Sequence, residues 1–179
     1  MKSFLELAKA RQSDRAYEPG RVIEREVLER ILEAGRIAPS ACNGQPWHFT
    51  VVTDPSLLVE VGMATSSLGM NKFVKDASAV VLITQESTNI TSKLGCGIKD
   101  KDFPVMDLGI ASAYITLAAE DEGIGSCILG WFDEKKIKDL TGIPQKKRLM
   151  VIISLGYAAK PKRNKVRKEW NKVVSFAQY

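Results

Sequence analysis

The chain has few residues that could carry chemistry by themselves. It has one histidine, His48, and three cysteines, Cys42, Cys96 and Cys127, far apart and without CxxC spacing. An odd, sparse cysteine set points to reduced thiols and a cytoplasmic protein rather than a disulfide scaffold. A Cys3His zinc site is disfavoured because structural zinc sites draw on closely spaced ligand pairs. No apolar run reaches eighteen residues, which excludes a membrane-spanning helix. The start, MKSFLELAKARQSDR, has no unbroken apolar stretch and reads as an amphipathic helix, not a signal peptide. Internal repeats, low-complexity tracts and linkers are absent. No GxGxxG or GxxxxGK[ST] follows a strand pattern; GIGSCILG comes after a helix and leads into a strand, the reverse order for a nucleotide loop. The net charge of +5 is too mild to imply nucleic acid.

What is present fits one domain over residues 1–179, with 45% hydrophobic residues. Val27, Leu28, Ile31, Leu32 and Gly35 repeat at helical spacing and predict a helix over Glu24–Ile37, which Pro39 stops. His48–Thr53 is β-rich. Asp54 and Pro55 form a helix start. AVVLIT (Ala79–Thr84) and LMVIISL (Leu149–Leu155) suit strands buried on both faces. Val105–Glu122 is the strongest helix, ended by Gly123 and Gly125. Ser126–Trp131 reads as a strand and Asp133–Leu140 as a helix. The sum is an α/β or α+β sheet covered by helices on both sides.

Four clusters could hold a ligand, and each also has an ordinary structural reading. Arg11-Gln12-Ser13-Asp14-Arg15 offers two guanidinium forks and a hydroxyl to an anion, or is a solvated helix end. APSACNGQPWHF (Ala38–Phe49) offers backbone groups and the two-sided amides of Asn43 and Gln45 to a flat heterocycle, or is a turn capped by Trp47. Gly123–Gly130 permits close approach of something planar, or is a tight turn. KPKRNKVRK (160–168) holds six Lys or Arg and no acid, with Lys165 and Arg167 on one side if extended. It suits a phosphate, or is a solvated tail.

Their order is more informative than any one of them. RxSxR, then PSAxNxQPWxF, then a small-residue helix ending in GxGS, then GYxA followed by KxR, closely resembles the FMN-dependent nitroreductase family over nearly the whole length. The resemblance implies an α+β fold, a central mixed, mainly antiparallel sheet sandwiched by helices. It implies an intertwined homodimer with FMN at the subunit interface and the helix around Ile110–Ala118 in the dimer core. The first helix and the C-terminal segment would reach across the partner. By motif position, Arg11 and Ser13 would serve the phosphate and ribityl end, with Gln12 between them where many relatives carry a basic residue. Arg15 would reach the pyrimidine edge of the flavin, and Lys165 and Arg167 would close on the phosphate. Asn43 would bond the isoalloxazine, and Pro39, Ser40 and Ala41 would line the ring from the other subunit. Ile128, Leu129 and Gly130 would form the wall near N5.

NADH or NADPH would donate hydride to flavin N5. A small-molecule acceptor, such as a nitroaromatic or quinone, would then take its place, giving ping-pong kinetics. No protein nucleophile, general base or metal is needed, which leaves His48 and Cys42 structural. Neither nucleic acid nor membrane is an expected partner. The same superfamily includes flavin-dependent dehydrogenases, oxidases and dehalogenases, and a flavin-binding redox sensor with little turnover is a further alternative. Glu86–Phe103 is expected to shape the substrate pocket.

Overall fold

The structure is a computed structural model that describes residues 3–66, 69–87 and 101–179. The helices are α1 (Phe4–Ala10), α2 (Arg25–Arg36), α3 (Pro55–Thr65), α4 (Phe103–Asp121) and α5 (Glu134–Thr141). The strands are β1 (Trp47–Val52), β2 (Ala79–Gln85), β3 (Gly125–Leu129) and β4 (Arg148–Gly156). Of the Glu86–Phe103 segment, residues 88–100 lie outside the described residues.

Local chemistry sets the helix starts. Ser3 and Glu6 form a reciprocal capping box on α1. Asp54 accepts from the Leu57 amide at 2.9 Å ahead of Pro55. Asp102 caps α4 through the Val105 amide, with Pro104 in the first turn. The helix expected from Val105 therefore begins at Phe103. Asp133 caps α5, and Gly142, at φ 70°, ends it in the left-handed conformation.

The four strands lie in the order β1-β2-β4-β3, every neighbouring pair antiparallel. Outside the strands, Ser13 makes a parallel bridge to Ser126. The architecture is the expected α+β sheet between helices. The two central strands explain why. β2 is buried from Ala79 to Thr84 on both faces. Val80 and Leu82 join Ile152, Val61 of α3 and Ile137 of α5 in one core. Val81 and Ile83 join Ile153, Ile31 of α2 and Ile115 of α4 in the other. Alternation along one strand thus feeds two helical layers.

Tyr17 ties the N-terminal segment to this sheet. Its ring is 3% exposed, and its hydroxyl bonds Ser154 Oγ at 2.8 Å and the Ser154 carbonyl at 3.1 Å. Burial pushes that hydroxyl far above its usual titration range, so it stays neutral. The ring lies against Gly156, where a Cβ would come within 2.8 Å of it. Gly156→Ala is expected to cost about 1–3 kcal/mol by overpacking. Urea unfolding would show it, and an unchanged midpoint would mean that the ring can yield.

Candidate functional site

Helix α1 stops because Arg11 turns extended, at φ −57° and ψ 126°. From there the chain runs along the free edge of β3. The Asp14 amide donates to the Ser126 carbonyl at 2.9 Å. Further on, Tyr17 bridges Ala158, the Glu18 amide donates to Tyr157 at 2.9 Å, and the Ala159 amide donates to Ala16 at 3.0 Å. Residues 11–18 are therefore held between β3 and the chain that leaves β4, which delivers the basic segment to RxSxR.

Lys165 Nζ donates to the carbonyls of Arg11 at 2.7 Å and Ala8 at 3.1 Å, at the C-terminal end of α1. Arg163 Nη2 donates to the Ser13 carbonyl at 2.9 Å. Loss of water lowers the Lys165 ammonium pKa, and repulsion from Arg11 and then Arg167 adds to this. Glu120, which opposes that shift, also pairs with Lys162. These cations are gathered at an electrostatic cost that a bound anion would relieve.

The structure thus brings Lys165 onto Arg11 and Arg163 onto Ser13, with Arg167 close enough to act on Lys165. Gln12 is different: it is 5% exposed and its amide is used by Asp14 and Arg163. Arg15 is exposed and lines a cleft of about 650 Å³ with Asn71, Lys72, Phe73 and Lys75. Asn71 sits in the left-handed region at φ 57°, and its amide donates to the Trp131 carbonyl at 3.2 Å. That bond joins the cleft to the end of β3, where Ile128 and Gly130 are exposed and Leu129 is buried. Cys127 is buried behind this wall, and burial raises its thiol pKa, which keeps it an unreactive thiol.

Ala38–Pro46 stands elsewhere. Cys42, Asn43 and Gln45 all have positive φ, at 51°, 52° and 44°. Three such non-glycine residues in one loop require strong tethers, and strain of this kind gathers at functional sites. The tethers are present. The Ala41 amide donates to both oxygens of buried Asp107 at 3.1 Å. The Asn43 amide donates to the Ser40 carbonyl at 3.0 Å, and the Gln45 amide to Ser40 Oγ at 2.9 Å. Asn43 is exposed, and its Oδ1 accepts from Gln45 at 3.0 Å.

Within one chain the two groups do not meet. Ala41 is bonded near the start of α4, whereas β3 follows its end; from Asp107 to Asp121 the helix rises about 21 Å. β1 and β3 are also opposite edges of the sheet, about 14 Å apart across three strand spacings. Pro39, Ser40, Ala41 and Asn43 therefore occupy one corner, and Arg11, Ser13 and Lys165 the diagonal one.

Sequence reasoning missed Asn71, Arg163 and Asp107. Asn71 follows Gly69 in a turn-forming stretch, a signal of left-handed backbone. Asp107 is the one acid between Phe103 and Ala119 of an apolar helix, which marks a buried partner. Arg163 is indistinguishable from its basic neighbours until the chain is folded. Asp107→Ala leaves the Ala41 amide unpaired and is expected to cost about 1–3 kcal/mol. Hydrogen exchange at that amide should accelerate while the β2 amides stay protected; an unchanged Ala41 amide would show that the loop does not depend on this tether.

Comparison with known proteins adds to this geometry. The pattern of the nitroreductase family matches residues 8–68 and 63–157. A protein of Archaeoglobus fulgidus, provisionally named an NADH dehydrogenase/NAD(P)H nitroreductase, is 35% identical over 161 residues, covering 88% of this chain and 86% of the relative. One of the same name from Methanothermobacter thermautotrophicus is 33% identical over 159 residues, covering 87% and 77%. The solved structure of an FMN-dependent nitroreductase from Clostridium difficile R20291 superposes with a TM-score of 0.80 at 27% identity, covering 98% of this chain and 100% of that one. Among the described residues, no helix is long and apolar enough to cross a membrane.

Proposed function

The chain belongs to the nitroreductase family of oxidoreductases, and from that premise we propose that it is an FMN-dependent NAD(P)H oxidoreductase acting on flat electrophiles such as nitroaromatics and quinones. The observation that carries this reading is the gathering of the basic tail on the RxSxR stretch, Lys165 Nζ on the Arg11 carbonyl and Arg163 on the Ser13 carbonyl, in the same segment whose Arg15 lines a cleft with Asn71. The residues fit the cofactor. FMN has a dianionic phosphate at one end and a ring edge of alternating donors and acceptors at the other. Arg11, Ser13, Lys165 and Arg167 would hold the phosphate; Arg163, bonded to the Ser13 carbonyl, adds a further positive charge. Arg15 would meet the pyrimidine edge, and Asn71 stands in the same cleft with a side-chain amide.

When bound, FMN would supply the redox chemistry between a nicotinamide donor and the acceptor. The protein binds and orients. The positive charge of Arg15 favours the extra negative charge of a reduced ring. Ile128–Gly130, at the end of the edge strand β3, would form one wall of the ring site, with Ile128 and Gly130 exposed there.

The second wall, Pro39–Asn43, would come from a second copy. The diagonal separation of the two corners supports this, as does the uncovered apolar surface. Helix α1 has no buried residue, with Phe4 73% and Leu5 61% exposed. Met106 and Tyr114 on α4 and Trp170 and Phe176 in the tail are also exposed. These are the apolar side chains that a second copy could cover. A homodimer would cover them and complete the site.

The purified protein is expected to show flavin absorption bands that bleach on anaerobic addition of NADH or NADPH, and the faster donor identifies the preference. Arg11→Ala and Arg167→Ala should each raise the FMN Kd about tenfold, equivalent to about 1.4 kcal/mol. A colourless protein that takes up no added FMN would overturn the proposal. Intersecting lines in double-reciprocal plots would overturn the ping-pong cycle alone.

A further inference from the structure

Asp14 lies inside the RxSxR stretch, yet it does not face the anion site. It is 5% exposed, and its Oδ2 is buried without a hydrogen-bond partner. The fold makes room for it: a Cβ on Gly125 would stand 3.0 Å from that oxygen. Its Oδ1 accepts from Gln12 Nε2 at 2.6 Å. Gln12, equally buried, accepts at Oε1 from the Arg163 amide at 3.0 Å.

A glutamine amide has a donor end and an acceptor end, and here only one orientation works. Reversed, it would set oxygen against the Asp14 carboxylate and NH2 against the Arg163 N–H. The carboxylate therefore decides which end of Gln12 meets the tail. The contact it creates holds backbone, whereas Lys165 and Lys162 reach their partners through flexible side chains.

We propose that Asp14 is a positioning residue that orients Gln12 and so latches the basic segment 160–167 onto Arg11–Ser13, assembling the cationic site before its ligand arrives. The FMN part of this inference rests on the function proposed above; the latch itself does not. A site assembled in advance loses less ordering entropy on binding, so the latch acts on affinity rather than on the chemical step. Because the carboxylate works only through the amide, Asp14 and Gln12 form one unit.

The test uses Asp14→Leu, Gln12→Leu, the double variant and Asp14→Asn. In limited trypsinolysis without added flavin, cleavage after Lys162–Arg167 is expected to quicken several-fold in both leucine singles and no further in the double variant, since coupled residues are not additive. Asp14→Asn can still present an oxygen to Gln12 Nε2 and should be cleaved at the wild-type rate. In FMN titration, Asp14→Leu is expected to raise the Kd about tenfold while kcat at saturating FMN holds. Unchanged cleavage in both leucine singles, or additive effects in the double variant, would overturn the latch. Failure of the wild type to bind FMN would overturn the functional reading, while trypsinolysis would still decide the latch. If Asp14→Leu does not fold, Gln12→Leu against Asp14→Asn decides it.

Discussion

The candidate site depends on how the free edge of β3 is closed. An edge strand leaves a row of unpaired backbone groups, and here Ser13 and Asp14 pair with Ser126 on that edge while Tyr17 pairs with the chain leaving β4. The bond from the Asp14 amide to the Ser126 carbonyl and the burial of Tyr17 against Gly156 hold that cover in place. Ending α1 at Ala10 makes the cover possible, because Arg11 must be extended for the chain to lie along the strand. The same segment then receives the chain leaving β4, which carries the basic residues. One strand edge thus gathers residues from both ends of the sequence.

Electrostatics and strain set the character of the two corners. At one, cations stand close enough to disfavour one another, and buried acids hold the elements beneath them: Glu120 pairs with Lys162, and Asp14 orients Gln12. At the other, a loop with three left-handed non-glycine residues is held by Asp107 and Ser40. In the proposed FMN site the first corner would supply the phosphate cations and the second a wall for the ring. In the proposed homodimer a second copy would bring the opposite corner to each site, with exposed apolar residues of α1, α4 and the tail between the copies.

Much of the fold was legible in the residues. Ala79–Thr84 had the short unbroken apolar character that suits two-sided burial and Leu149–Leu155 a largely apolar one, and the strands found are β2 and β4. Asp54-Pro55 marked a helix start that the Asp54 cap bears out. The limits that moved did so for local reasons, as where Asp102 and Pro104 begin α4 two residues early. The site was less legible. Gln12 appeared as a polar member of an anion-binding stretch, yet its side chain is buried and committed to Asp14 and Arg163. Asn71 carried only a turn signal, because its place beside Arg15 depends on contacts far along the chain.

By itself the sequence determined the elements, their two-faced sheet and the residue types available to an anion and a planar ring. These follow from spacing, capping and turn chemistry, which act over a few residues. The folded chain decided which of those residues meet: Lys165 with Arg11, Asn71 with Trp131, and Pro39–Asn43 with neither. The reason is that strand order and the path across the β3 edge are set by long-range packing and pairing. No short stretch of sequence contains that information.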